Sequence, residues 1–355
     1  MTEKTPKASV IDLFCGAGGL SYGFREEGFD VVAGIDADET CRYAYETNVR
    51  APFLRQDVSS LTSTKLNKLY PKHCHTVLVG CAPCQPFSAY NCKNKDQNWK
   101  LVRDFGRLIA ESLPDVVSME NVPRLCTFRG GEVFRDFTQT LRSAGYDITF
   151  DVLSAADYGL AQTRSRLVLL ASRRGQIKLP SPTHKDSHRT VDMVIGKLPA
   201  LAAGETNPAD RLHRSSELSA TNIHRIRASK PGGTWRDWPK ELVARCHKIE
   251  SGRGYSSVYG RMRPDRPAPT ITTQFYGFGN GRFGHPIQDR ALSLREGAML
   301  QGFPKDYRFM PANEDMPFTL VGRMIGNAVP IPLAKAIAQA VRDHLKMRPT
   351  ETVYV

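Results

Sequence analysis

Val10-Ile11-Asp12-Leu13-Phe14-Cys15-Gly16-Ala17-Gly18-Gly19 is a short apolar run that breaks into glycines, and Leu20 to Glu27 behind it reads as a helix. Strand, glycine turn and helix is the order in which a backbone can approach a ligand closely, with the free N–H groups of the helix start beside it. The next apolar run, Val31 to Ile35, ends in Asp36. A carboxylate there can hold both hydroxyls of a ribose, so turn and acid together predict an adenosine-containing cofactor. Nicotinamide dinucleotides and S-adenosylmethionine both stay open at this point. The turn is shorter than the GxGxxG dinucleotide fingerprint, and no second phosphate-binding loop is visible. Taken alone, the glycines are equally well a tight turn.

Working outward, Thr76 to Val79, Val116 to Met119 and Leu167 to Ala171 are further strand candidates, with helical stretches near Thr40 to Asn48 and from Leu101 to Ser112. Strands alternating with helices predict βαβ units and a parallel sheet covered on both faces, an α/β fold that binds ligands at the carboxyl ends of its strands. Near the end, Ile331, Leu333, Ala334, Ile337, Ala338, Val341 and Leu345 fall at helical spacing, and this helix is expected to pack back on the sheet.

The chain has 355 residues, 41% of them hydrophobic and 24% charged, an ordinary globular composition. No stretch approaches the roughly 18 uninterrupted apolar residues of a membrane span, and the first ten residues lack the apolar centre of a signal peptide. No membrane association is expected. Eight irregularly spread cysteines predict free thiols in a reducing compartment. The net charge is +13 and is unevenly placed. Residues 1–174 hold 22 basic and 20 acidic side chains, 291–355 hold 8 and 6, and 175–290 hold 19 and 10. That central segment is rich in Pro, Gly, Ser and Arg, and its Arg253, Arg261, Arg263, Arg266 and Arg282 point to nucleic-acid contact.

Three more motifs follow strands. Gly80-Cys81-Ala82-Pro83-Cys84-Gln85-Pro86-Phe87-Ser88 sets Cys84 between prolines in a turn that would hold its thiol outward. Cys81 and Cys84 have C-x-x-C spacing, which also suits zinc or redox chemistry. However, no second spaced pair follows, and a redox pair usually opens a helix. Met119-Glu120-Asn121-Val122 puts an acid at a strand end, where a pocket could keep it protonated to donate to a ring nitrogen. Gln162-Thr163-Arg164-Ser165-Arg166 leads into a strand, and alternation would set Arg164 and Arg166 on one face.

In this order FCGAGG, GID, QDV, PCQPFS, ENV, QTRSR, LREGAMLQGFP (294–304) and GNAVP (326–330) resemble the DNA (cytosine-5)-methyltransferase family over nearly the whole chain. The resemblance implies a Rossmann-like S-adenosylmethionine-dependent methyltransferase fold with a smaller target-recognition domain. Residues 1–174 would be the catalytic and cofactor-binding domain and 175–290 the target-recognition domain. Residues 291–355 would be a return segment whose C-terminal helix completes the catalytic domain. The implied reaction moves a methyl group from S-adenosylmethionine to C5 of a flipped-out cytosine in duplex DNA, leaving S-adenosylhomocysteine.

By the same resemblance Cys84 is the nucleophile that adds to C6, Glu120 contacts N3 and the exocyclic amine, Arg166 contacts O2, and Arg164 lies beside them. Phe14 would face the adenine and Gly16, Ala17 and Gly19 the methionine portion. Asp36 would take the ribose hydroxyls and Asp57 the adenine amine, with Pro83, Leu101, Asn327 and Val329 completing the pocket. Gln85, Ser88 and Thr270 would meet DNA, and no metal is implied. Members often carry Gly-Gly-Pro-Pro where this chain has Gly80-Cys81-Ala82-Pro83. The expected partner is double-stranded DNA, the enzyme a monomer in the cytoplasm, nucleoid-associated if bacterial. A cognate restriction or defence-system partner would fit it. The runner-up substrate is tRNA. A catalytically silent DNA-binding regulator would not need Cys84, Glu120, Arg164 and Arg166 all kept, and a nicotinamide oxidoreductase leaves the Pro-Cys-Gln turn unexplained.

Overall fold

Apolar runs of strand length separated by amphipathic helices set the architecture of the first part of the chain. A computed structural model describes residues 8–83 and 99–346. The elements run β1 (Ala8–Leu13), α1 (Gly19–Glu26), β2 (Asp30–Asp36), α2 (Arg42–Val49), β3 (Phe53–Arg55), α3 (Ser63–Leu69) and β4 (His75–Gly80). They continue with α4 (Lys100–Ser112), β5 (Val116–Asn121), α5 (Glu132–Ser143), β6 (Asp147–Ser154) and β7 (Ser165–Ser172). The seven strands form one sheet in the order β3-β2-β1-β4-β5-β7-β6.

β1 pairs in parallel with β2 and β4, β2 with β3, and β4 with β5. β7 is antiparallel to both β5 and β6, so the sheet is mixed where a parallel one was expected. The reason is local: Ser154 of β6 pairs with Ser165 of β7. The chain between them is too short for the helical crossover that a parallel pair needs. One face of the sheet is set by period two, with Ile11 and Leu13, Val117 and Met119, and Leu167 and Leu169 joining one core cluster. Phe105, Leu108 and Ile109 of α4 and Phe134, Phe137 and Leu141 of α5 cover it. Each such burial is worth about 1.5–3 kcal/mol.

The contact pattern divides the chain into two units. The first takes residues up to Tyr158, then Ser165–Thr183 and everything from Val329 onward. Its last helix, Ile331–Lys346, buries the seven residues whose spacing marked it. That helix lies against α1: a Cβ on Gly23 would come within 2.5 Å of the Cβ of Ala334, so only glycine allows the crossing. Arg342 pairs with Glu27 at 2.8 Å, and His344 bonds Ser172 at 2.8 Å.

The second unit takes Gly159–Arg164 and His184–Ala328. The sequence division at 174, 175 and 290 thus differs from these bounds, because the hexapeptide and 291–328 bond to the second unit. Regular structure is sparse there, and Ile226, Trp235, Trp238, Phe278 and Ala291 form a small core. Buried arginines replace much of the missing apolar mass. Arg261 gives hydrogen bonds to the carbonyls of Ile226, Ser229, His285 and Gln288 and to Asp289. Arg290 is fully buried and bidentate on Glu296, at 2.7 Å for each oxygen. Glu296 in turn accepts from the Ser293 amide and forms a capping box on the helix Leu294–Leu300. Arg261 and Arg282, which the charge pattern offered for nucleic-acid contact, are committed to internal carbonyls. Arg253, Arg263 and Arg266 are exposed. Phe318 to Lys346 has the composition of a membrane span, but it is two separate helices, broken between Asn327 and Ile331.

Candidate active site

β1 and β4 are neighbours whose outgoing connections run to opposite sides of the sheet, the place where such sheets bind ligands. Around it lie the ends of β1, β2, β4 and β5. Beyond Leu13 the chain turns through three left-handed residues, Phe14 (φ 59°), Gly16 (φ 49°) and Gly18 (φ 92°). Glycine takes that conformation freely, while a phenylalanine there is strained, and such strain gathers at functional sites. The Phe14 ring meets Phe105 edge-on at 6.3 Å. Among the described residues a Cβ on Gly16 would touch nothing within 4 Å, so the turn borders open space there. Ala17 and Gly19 are buried behind it.

Asp36, at the end of β2, accepts from the amides of Gly16 and Asp38, 2.9 Å each, one on either oxygen. Burial raises its carboxyl from the ordinary range. A carboxylate accepts about four hydrogen bonds, so two hydroxyls can still be added. Asp57 is exposed and caps the turn Val58–Ser60, taking both Ser59 N–H and O–H on Oδ1.

Beneath the turn lies a network that the sequence did not disclose. Ser21 donates to Asp12 Oδ2 at 2.7 Å, and Ser21 Oγ lies 2.9 Å from the Tyr45 hydroxyl. Since Ser21 has one hydrogen, Tyr45 must donate to it. Gly34 leaves the space for this: a Cβ there would sit 2.1 Å from the Tyr45 ring. Asp12 is buried, its Oδ1 has no hydrogen-bond partner among the described residues, and burial pushes its carboxyl from 3.8 up to about 7. The fold therefore favours the protonated form. The stability this group contributes is complete below about pH 3.8 and is lost as pH rises through about 7. Asp12→Asn, which mimics the neutral acid, is expected to match the native protein near pH 4. Above pH 7 it should be more stable by about 2–4 kcal/mol, at roughly 1.4 kcal/mol per pH unit. Denaturant unfolding across that range checks it, and parallel curves would refute it.

At the ends of β4 and β5 stands an acid held from two sides. Glu120 is 2% exposed. Cys81 Sγ donates to Oε2 at 2.9 Å, and Arg166 Nε lies 3.0 Å from Oε1. The Arg166 contact is an ion pair whose angle falls short of a hydrogen bond, so the buried Oε1 keeps its hydrogen-bonding capacity. Asn121 donates to the carbonyl of Ala82 at 3.0 Å, tying the turn after β4 to the end of β5. Pro83 and Leu101 are half-buried. Cys84, Gln85 and Ser88 lie outside the described residues.

Arg166 belongs to β7 in the first unit and Arg164 to the second unit. β7 begins at Ser165, so strand alternation does not extend back to 164. In the second unit Arg164 donates to the carbonyls of Ile271 at 3.0 Å and Gly326 at 3.1 Å. Beside it the fully buried Gln162 bonds Leu300 O, Gln301 and the amide of Ile271. Thr270 donates to the carbonyl of Thr163 at 2.8 Å. Asn327 is exposed at the end of the helix Phe318–Asn327, and Val329 of the first unit is buried.

The family model described as C-5 cytosine-specific DNA methylase matches residues 8–343. The Type II methylase M.HgiDII of Herpetosiphon aurantiacus is 52% identical over 340 residues, spanning 95% of this chain and 96% of the relative. The Type II methyltransferase M1.HphI of Haemophilus parahaemolyticus is 32% identical over 349 residues, 97% of this chain and 88% of that one. Among solved structures, an Escherichia coli prophage protein described as a DNA modification methyltransferase shares the fold. Its TM-score is 0.75 at 23% identity, covering 96% of this chain and all of that one. The chain belongs to the C-5 cytosine-specific DNA methylase family.

Proposed function

We propose that this DNA (cytosine-5)-methyltransferase methylates C5 of a cytosine flipped out of duplex DNA, through a covalent bond between Cys84 and C6. The observation that carries the reading is Glu120: a buried carboxyl with Oε2 held by Cys81 and Oε1 still able to accept. When protonated, such a carboxyl can donate to N3 and accept from the amino group of a cytosine edge. The turn Phe14–Gly19 and Asp36 suit S-adenosylmethionine, since the turn borders open space and the carboxylate can accept two ribose hydroxyls. Phe14, Gly16, Ala17, Gly19, Asp36 and Asp57 would hold it, with Pro83, Leu101, Asn327 and Val329. When bound, it supplies an electrophilic methyl group and leaves as S-adenosylhomocysteine.

The protein's own work is to make C5 a nucleophile. The Cys84 thiolate adds to C6, the C5–C6 π pair moves toward the ring, and Glu120 supplies a proton at N3 as charge gathers there. Arg166, paired with Glu120, would meet O2, and Arg164 orders the backbone at Ile271 and Gly326. As C5 takes the methyl group the ring returns its N3 proton to Glu120, and loss of the C5 proton to a base then restores the C5–C6 double bond and expels the Cys84 thiolate. The exposed Arg253, Arg263 and Arg266 would contact phosphates, with Gln85, Ser88 and Thr270 near the flipped nucleotide. Its relatives' Type II names suggest a restriction-modification setting.

The test is transfer of labelled methyl groups from S-adenosylmethionine to duplex DNA, followed by bisulfite sequencing. Conversion-resistant cytosines at one recurring sequence are expected. Labelling of tRNA without labelling of DNA would overturn the substrate assignment.

A further inference from the structure

The side chain at position 81 is the unexpected member of the site. We infer that Cys81 is a positioning residue: together with Arg166 it fixes the carboxyl of Glu120 in the orientation that meets the target cytosine. The inference rests on the function proposed above and assigns a task to a residue outside the motif that carries the chemistry.

The geometry is specific. Cys81 comes from the turn after β4 and Arg166 from β7, and they reach different oxygens of one carboxyl on β5, at 2.9 and 3.0 Å. One contact on each oxygen stops rotation of the carboxyl plane. Cys81 and Arg166 are also the titratable groups in contact with Glu120 among the described residues. The Cys81 turn is itself anchored, because Asn121, next to Glu120, donates to Ala82, next to Cys81. A thiol is a weak donor, and Oε2 retains a second lone pair beside it. Cys81 can therefore orient Glu120 without holding it as firmly as a hydroxyl or a second cation would. An alanine or glycine at 81 would leave Oε2 without this donor in a buried setting, where an unpaired polar atom is costly.

Cys81→Ala is expected to lower kcat about 5- to 10-fold, with little change in KM for S-adenosylmethionine. Cys81→Ser, which restores a donor, should recover most of kcat. An independent signature is the infrared S–H stretch, which lies clear of protein absorption. The band missing from Cys81→Ala should shift in Glu120→Gln, whose neutral amide is a weaker acceptor. An unchanged kcat in Cys81→Ala, or an S–H band indifferent to Glu120→Gln, overturns the inference, even if thermal stability drops. Native enzyme that fails to methylate duplex DNA would instead sink the underlying function, which separates the two failures.

Discussion

Cys84→Ala is expected to abolish methyl transfer, lowering the rate about 10⁴-fold or more, while the affinity for S-adenosylmethionine should change by less than about two-fold. C5 of cytosine is a poor carbon nucleophile until C6 carries an electron-donating adduct, and a methyl side chain cannot form one. Residues acting as one unit give large, non-additive losses, so removal of the nucleophile should cost nearly as much alone as with a second change. Glu120→Gln keeps the shape of the side chain but cannot supply a proton, and a loss of about 10²–10⁴-fold is expected. A duplex carrying 5-fluorocytosine gives the direct check. Fluorine cannot leave C5 as a proton does, so the native enzyme should stay linked to the DNA on a denaturing gel and Cys84→Ala should not. A Cys84→Ala enzyme of full activity would remove the covalent mechanism.

Glu296→Ala is expected to lower the unfolding free energy of the second unit by about 3–5 kcal/mol, the cost of leaving a buried ion without its partner. Arg290 is fully buried, and its guanidinium bonds both oxygens of Glu296. Burial works to raise the Glu296 carboxyl, but the Arg290 hydrogen bonds and charge outweigh it, leaving the group below its usual range. The His285 ring, 3.5 Å from Glu296, is driven the other way: burial takes it down to about 4, so it is neutral at pH 7 and cannot replace Arg290. Truncation also removes the Ser293 amide bond and half of the capping box. Replacing both ions with apolar side chains of similar volume, as in Arg290→Met with Glu296→Leu, should recover much of the loss. Denaturant midpoints of the single and double variants decide it. Equal losses in both would mean that capping, rather than the stranded charge, is the main term.

How far the sequence could be read follows from what each residue does. Strands buried on both faces, such as β1 and β5, stand out as apolar runs. β3 has three residues, too few to make a pattern. β6 alternates Ile148, Phe150 and Val152 with polar residues although none of its residues is buried, so it shows as alternation and not as an apolar run. The direction of β7 was hidden as well, because strand polarity depends on the connection rather than on the strand. Asp36 and Glu120 were legible as acids closing apolar strands. Cys81 was not, since a thiol aimed at a residue 39 positions away has no local pattern. The positive charge was visible, yet its division between exposed arginines and Arg261, Arg282 and Arg290, which bond carbonyls and Glu296, depends on tertiary packing.

The hexapeptide Gly159–Arg164 belongs to the second unit although it is flanked on both sides by the first. Through Gln162 and Arg164 it bonds Leu300, Gln301, Ile271 and Gly326. Grafting 184–328 between relatives as one cassette would therefore set those two side chains against foreign carbonyls. A transferable module has to be discontinuous: six residues from between β6 and β7 must travel with the cassette. Recombination at a single pair of crossover points would yield hybrids with a mismatched seam.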